Sequence, residues 1–184
     1  MKKFLRYSVL GLLSSVFWFS AGCKLLPAQQ ADPVRQFTLS GPAATVAVAD
    51  AVSVRPLQLA GHLRSRAMAV RVSENEVIYL DDIRWAESLE EAITQVLRNR
   101  LRQVGGGAFV TVQVQRCELV RSAGNAVQLA ATYTITAPGS PARNASFSAS
   151  SRVWDGKDHG DLVALLRDAV NELGDAIATS IEAR

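Results

Sequence analysis

This sequence predicts an α+β sandwich, a mixed and largely antiparallel sheet of roughly four to five strands packed with two long helices. Three observations carry that expectation. Several segments alternate apolar and polar residues and are separated by Gly, Pro or Asn turns. The stretch Ser88–Leu101 has helical periodicity behind a start signal, and a second helical stretch keeps one apolar face from Leu162 to Ile181.

Residues 1–22 read as a secretory leader. Lys2, Lys3 and Arg6 form a positive start, and Tyr7 to Gly22 is an uncharged run of mostly apolar residues. A spanning helix needs about 20 consecutive apolar residues, and this run is shorter and carries Ser14, Ser15 and Ser20. Ala21-Gly22-Cys23 supplies the small residues that precede a lipidated cysteine, so Cys23 is the expected acylation site and membrane anchor. Lipoprotein leaders of this kind usually place an aliphatic residue where Ser20 stands. Ser20 and Gly22 also suit the ordinary signal peptidase, and in that alternative Cys23 stays a thiol able to pair with Cys117.

Residues 23–33 are expected to form the lipidated tether, of which ten extended residues would reach roughly 33 Å. Residues 34–184 are then a single domain, long enough for one core and held without a disulfide framework. The chain has 20 basic and 17 acidic residues; with Lys2, Lys3 and Arg6 assigned to the leader, the remainder balances at 17 against 17. A neutral domain with interspersed charges lacks the clustered basic face that nucleic acid requires, and it lacks a polybasic membrane patch.

Arg35–Leu39 alternates and ends at Ser40-Gly41-Pro42, a short first strand. Val46, Val48, Val52 and Val54 make a second, with a bulge or early end expected near Asp50 and a stop at Pro56. Pro56-Leu57-Gln58-Leu59-Ala60-Gly61-His62-Leu63 reads as a loop with three leucines, which either fold back onto the core or are presented to a partner. Met68–Val72 and Val77–Leu80 form a hairpin around Ser73-Glu74-Asn75-Glu76. Ser88 and Glu91 make a capping box for a helix that buries Leu89, Ala92, Ile93, Val96, Leu97 and Leu101 and stops at Gly105-Gly106-Gly107. That glycine run follows a helix and precedes a strand, the reverse of a phosphate-binding loop. A three-strand meander comes next: Val110 to Leu119 with a bulge at Arg116, Val127 to Ile135, and Phe147 to Trp154. The connection from the second strand to Val110 is long enough for a parallel crossover. A helix from about Asp161 completes the fold.

The chain offers little catalytic chemistry. His62 and His159 have no metal-ligand spacing around them, and Asp155, Asp158, His159 and Asp161 sit in a Gly-containing link where Asp supports turns and caps. Cys117 lies among strand residues and reads as a small buried hydrophobe.

The segment Arg84-Trp85-Ala86-Glu87-Ser88-Leu89-Glu90-Glu91-Ala92-Ile93, taken with Phe37 and Leu39, Pro56 before Leu59-Ala60-Gly61-His62-Leu63, and Arg71 with Asn75-Glu76-Val77, resembles the ABC-type transport auxiliary lipoprotein component family of Mce-type intermembrane transport systems. The likeness covers most of the domain. It implies a non-enzymatic, cofactor-free lipoprotein on the periplasmic face of the outer membrane that docks to an Mce-domain substrate-binding protein and helps move lipids or other hydrophobic molecules between membranes. Lys24 after the cysteine is compatible with outer-membrane sorting. The residues expected to face the partner are Leu57, Leu59, His62, Leu63, Arg84 and Trp85, with Trp85 alternatively a lid before the helix; homo-oligomerisation stays open. The other two readings are a direct lipid carrier, which needs an apolar cavity of roughly several hundred Å³, and an envelope-assembly lipoprotein regulating cell-wall synthesis.

Overall fold

The computed structural model describes residues 33–41 and 48–183. The expectations placed on the leader, Cys23, the tether up to Asp32 and Val46 lie outside the described residues. From Val34 onward the chain forms one compact unit. Its strands are β1 (Arg35–Phe37), β2 (Ser53–Val54), β3 (Gln58–Leu59), β4 (Ala67–Arg71), β5 (Val77–Trp85), β6 (Phe109–Val120), β7 (Ala126–Thr136), β8 (Arg143–Ser148) and β9 (Arg152–Val153); α1 (Leu89–Leu101) precedes β6 and α2 (His159–Glu182) follows β9.

The antiparallel β6–β7 hairpin is the spine of the sheet, paired from Phe109↔Thr136 to Val120↔Ala126. Both its flanks are broken. Along the free edge of β6 lie, in succession, β2, β3 and β4, all parallel to it. Along the free edge of β7 lie β8 and β9, both antiparallel. β4 then pairs antiparallel with β5, and β5 pairs parallel with β1. The α+β class and the parallel crossover are as expected, but the sheet has nine strands instead of four or five. Part of the excess comes from the β4–β5 hairpin and β1 joining the same sheet, and part from fragmentation. Asp50 adopts a positive φ of 54° and the second strand resumes only at Ser53; Pro56, without an N–H to donate, separates β2 from β3. The last strand of the meander is split between Ser148 and Arg152.

Ser88 caps α1 by accepting a 3.2 Å hydrogen bond from the backbone N–H of Glu91, and its hydroxyl donates to the Glu91 carboxylate. Gly106 and Gly107, with φ of 103° and 59°, turn the chain out of the helix, and the N–H of Gly107 donates to the Asp50 carbonyl. Alternation on the spine aims Val110, Val112, Val114, Leu129, Tyr133 and Ile135 at the helices, where they meet Ile93 and Leu97 of α1 and Leu162, Leu166, Leu173 and Ile177 of α2, all 5% exposed or less. Before the bulge the opposite face of the spine is polar and solvated, as in the Gln115–Thr132 and Thr134–Asn144 hydrogen bonds, and beyond it that face is covered at Glu118 and Val120. β6 shifts register between Val114 and Arg116, the bulge that its sequence pattern predicts.

Candidate functional site

Of the residues singled out in the sequence, the stretch from Pro56 to Leu63 is held through β3 on the free edge of β6, and Arg84 and Trp85 sit at the end of β5 opposite Gln36 and Phe37 of β1. Leu59 pairs opposite Val114, and a 3-10 turn over Gly61–Arg64 carries the chain to β4. The alternation set by β3 points Leu57 and Leu59 inward with Gln58 outward, and the turn directs Leu63 the same way. Leu57, Leu59, Leu63 and Trp85 are 1%, 5%, 2% and 3% exposed, so these side chains belong to the core and do not face solvent. Of the two courses open to the leucine loop, folding back is the one adopted, because each buried Leu or Trp gains about 1.5–3 kcal/mol over an exposed one. Only His62, half-buried, and Arg84, exposed and donating to the Asp81 carbonyl, retain access to water.

Beneath that loop the structure assembles a polar cluster that sequence reasoning missed. Glu118 follows the β6 bulge on the strand face opposite Cys117 and Leu119, and its side chain is fully enclosed. One carboxylate oxygen accepts from Nε of Arg71 at 2.6 Å; the other lies 3.1 Å from Nε2 of His62. Arg71 also donates to the Glu74 carbonyl, and the Tyr79 hydroxyl donates to the His62 carbonyl. A carboxylate buried without such partners would be strongly destabilising. The cluster therefore clamps the 61–64 turn, the β4–β5 hairpin and β6 together.

Nothing in the cluster is arranged as a nucleophile with a base. The neighbouring Cys117 thiol is pushed up to about 12 by burial and by the Glu118 carboxylate, which keeps it protonated. In the Asp155–Asp161 link, Asp155 is held below its usual range by the Lys157 N–H and Asp158 by the Arg35 guanidinium. The Trp154 indole donates to the Asp158 carbonyl and meets the His159 ring in a tilted contact at 5.1 Å between centroids, an arrangement that shapes the start of α2. Among the described residues no group of three or more His, Cys, Asp or Glu is placed to hold a metal, and no helix is long and apolar enough to cross a membrane.

The space between helices and sheet is filled. The hollow lined by Leu63, Met68, Trp85, Leu89, Cys117 and Leu166 measures about 10 Å³, room for about one water. Larger depressions of about 250, 420 and 300 Å³ are open to solvent: one beside Arg100 and Arg167, one beside Arg116 and Gln128 with Val127 and Leu129 in its wall, and one beside Ile135, Pro141 and Arg143.

Residues 37–178 match the model of the ABC-type transport auxiliary lipoprotein component. The chain belongs to that family. It is a family of auxiliary transport components, not of enzymes, whose description associates its members with ABC-type transport and, as lipoproteins, with the cell envelope. No curated protein matches the chain significantly. The fold is similar to that of an uncharacterised protein of known crystal structure, 14% identical over 79% of this chain and 97% of the other, with a TM-score of 0.64. It is also similar to protein XCC0632 from Xanthomonas campestris, 15% identical over 82% of this chain and 95% of the other, with a TM-score of 0.60. At such identities the likeness establishes a shared architecture for this auxiliary lipoprotein and nothing finer.

Proposed function

We propose that this auxiliary lipoprotein is anchored by acyl chains on Cys23 to the periplasmic face of the outer membrane. There it docks to the Mce-domain substrate-binding protein of an ABC system that moves lipids or other hydrophobic molecules between membranes. The observation that carries this reading is family membership across residues 37–178, from β1 to the last turns of α2. The hollow of about 10 Å³ between helices and sheet favours a docking subunit over a carrier that encloses lipid, since the depressions that reach the roughly 300–1,000 Å³ of a ligand pocket are open to solvent. Anchoring is supported by the leader and by Ala21-Gly22-Cys23. Cys117, 3% exposed, is poorly placed to pair with Cys23, which disfavours the alternative of a soluble, disulfide-linked form.

Mass spectrometry of the mature N-terminus tests the anchor. Acyl chains on Cys23 are expected, and an unmodified or disulfide-bonded Cys23 contradicts the proposal.

A further inference from the structure

β8 ends the strand order, and its outer edge has no neighbouring strand among the described residues. The Ala149 N–H donates to the Leu129 carbonyl, and hydrogen-bonded pairs alternate along an antiparallel ladder. Arg143, Ala145 and Phe147 therefore turn their backbone groups to β7, while Asn144, Ser146 and Ser148 turn theirs outward, where no described residue meets them. The same register sets the faces. Ala145 lies opposite Tyr133, so Arg143, Ala145 and Phe147 share the helix side of the sheet, and Asn144, Ser146 and Ser148 share the other. The helices do not cover this border: Ala145 is exposed, Phe147 is half-buried, and Arg143 reaches back to donate to the Ser180 carbonyl of α2.

Open sheet edges are normally blunted by shortness, charge, proline or a bulge. The other edges of this sheet follow that rule. β1 has three residues, one of them Arg35, and the part of β5 that extends beyond β1 carries Asp81 and Asp82. β8 has six residues, pairs with β7 without a register shift, contains no proline and carries one charge, at its first position. It is a ready template for another strand.

We propose that β8 pairs antiparallel with β8 of a second copy of this chain, with Ser146 on the twofold axis. The strand's own sequence selects that occupant, because it is complementary to itself in this register. Ser146 lies opposite Ser146 and Asn144 opposite Ser148, each pair exchanging two backbone hydrogen bonds between small polar residues. On the helix side Ala145 falls opposite Phe147 of the second copy, which covers both apolar side chains, and Arg143 falls opposite Ala149 and meets no like charge in the ladder. The helices fit as well. α2 lies over β7, where Ser180 and the Tyr133 hydroxyl are 2.9 Å apart, and strands about 4.8 Å apart place the two β7 strands about 14 Å from each other. Packed helices need only about 8–10 Å. The pairing stands independently of the transport reading.

The test uses the full lipoprotein in detergent, with micelles in excess over protein. Wild type sediments as a dimer of the polypeptide, and Ser146→Lys, which sets two ammonium groups against each other on the axis, raises the dissociation constant by about 10-fold or more. Ser146→Cys forms a disulfide between copies, since Cα atoms about 5.5 Å apart in a hydrogen-bonded pair lie within disulfide reach. Thr111→Cys, exposed on the same face but inside the sheet, does not cross-link, which also controls for any thiol at Cys23. Diluted to monomer, Ser146→Lys melts like wild type, because Ser146 is exposed. A wild-type monomer overturns the pairing. An assembly that survives Ser146→Lys, or in which Ser146→Cys cross-links no better than Thr111→Cys, overturns it too, since another surface then holds the copies together.

Discussion

Glu118 accepts a 2.6 Å hydrogen bond from Arg71 at a point where the carboxylate has no exposed surface at all. The pair joins β6 to β4, and His62 completes it from the connecting turn. Removing one partner strands the other charge. Arg71→Met should cost about 3–5 kcal/mol, a fall of roughly 10 °C in melting temperature for a domain of this size. The double variant Arg71→Met with Glu118→Leu should recover much of that loss, because no charge is left buried. Calorimetry on both variants checks the pair, and a single variant that melts like wild type contradicts it.

The Trp85 side chain lies at the end of β5 beside Leu63 and Leu89, and the Trp85 backbone N–H donates to the Arg66 carbonyl. Trp85→Ala should cost about 3–5 kcal/mol through the cavity it leaves. Leu59→Asp should be at least as damaging, because it introduces an unpaired charge opposite Val114. Thermal melts decide: a fully stable Leu59→Asp protein would mean that the loop is not packed as described.

Gly174 of α2 packs directly against the stem of Arg100 on α1. A Cβ there would stand 2.8 Å from Cγ and 3.1 Å from Cβ of Arg100, near the stem of that side chain where it has little freedom to move aside. Gly→Ala normally stabilises a helix interior by up to about 1 kcal/mol. Here overpacking should reverse the sign, and Gly174→Ala should destabilise by about 1–3 kcal/mol in denaturant titration.

Glu172 of α2 fastens the break between β8 and β9. It accepts from the Ser150 hydroxyl and N–H and pairs with Arg152 at 2.7 Å; these contacts, Ser150 first, hold its carboxyl below the ordinary value of 4.5. A depressed carboxylate contributes stability that is present above its unfolded value and is lost as pH falls through the folded one. Melting temperature should therefore decline on acidification below pH 4.5. Glu172→Gln should flatten part of that decline, by no more than about 1 kcal/mol because the pair is partly solvated.

Local signals carried much of the fold. The Ser88 capping box fixes the start of α1 in sequence and in structure alike, and the misplaced polarity of Arg116 marks the bulge where β6 changes register. The apolar face from Leu162 to Ile181 is buried along α2, although the helix begins at His159 rather than near Asp161. What was not legible depends on distant partners. Leu57 and Leu59 alternate identically whether they point in or out, and only the pairing of β3 with β6 decides. Arg71 and Glu118 are 47 residues apart, and two-residue strands such as β2 and β9 are shorter than any periodicity can register. The exposure of Phe109, by contrast, follows from the local alternation: Val110 turns to the helices and is fully buried, so Phe109 turns to the opposite face of the sheet.

On the function proposed above, this auxiliary lipoprotein works by docking and not by carrying substrate. Gentle purification of the native lipoprotein from its own envelope, followed by mass spectrometry of what accompanies it, tests that directly. Stoichiometric Mce-domain protein is expected, with no lipid beyond the acyl chains proposed for Cys23. A protein that comes away without that partner, holding a phospholipid in its own fold, would contradict it.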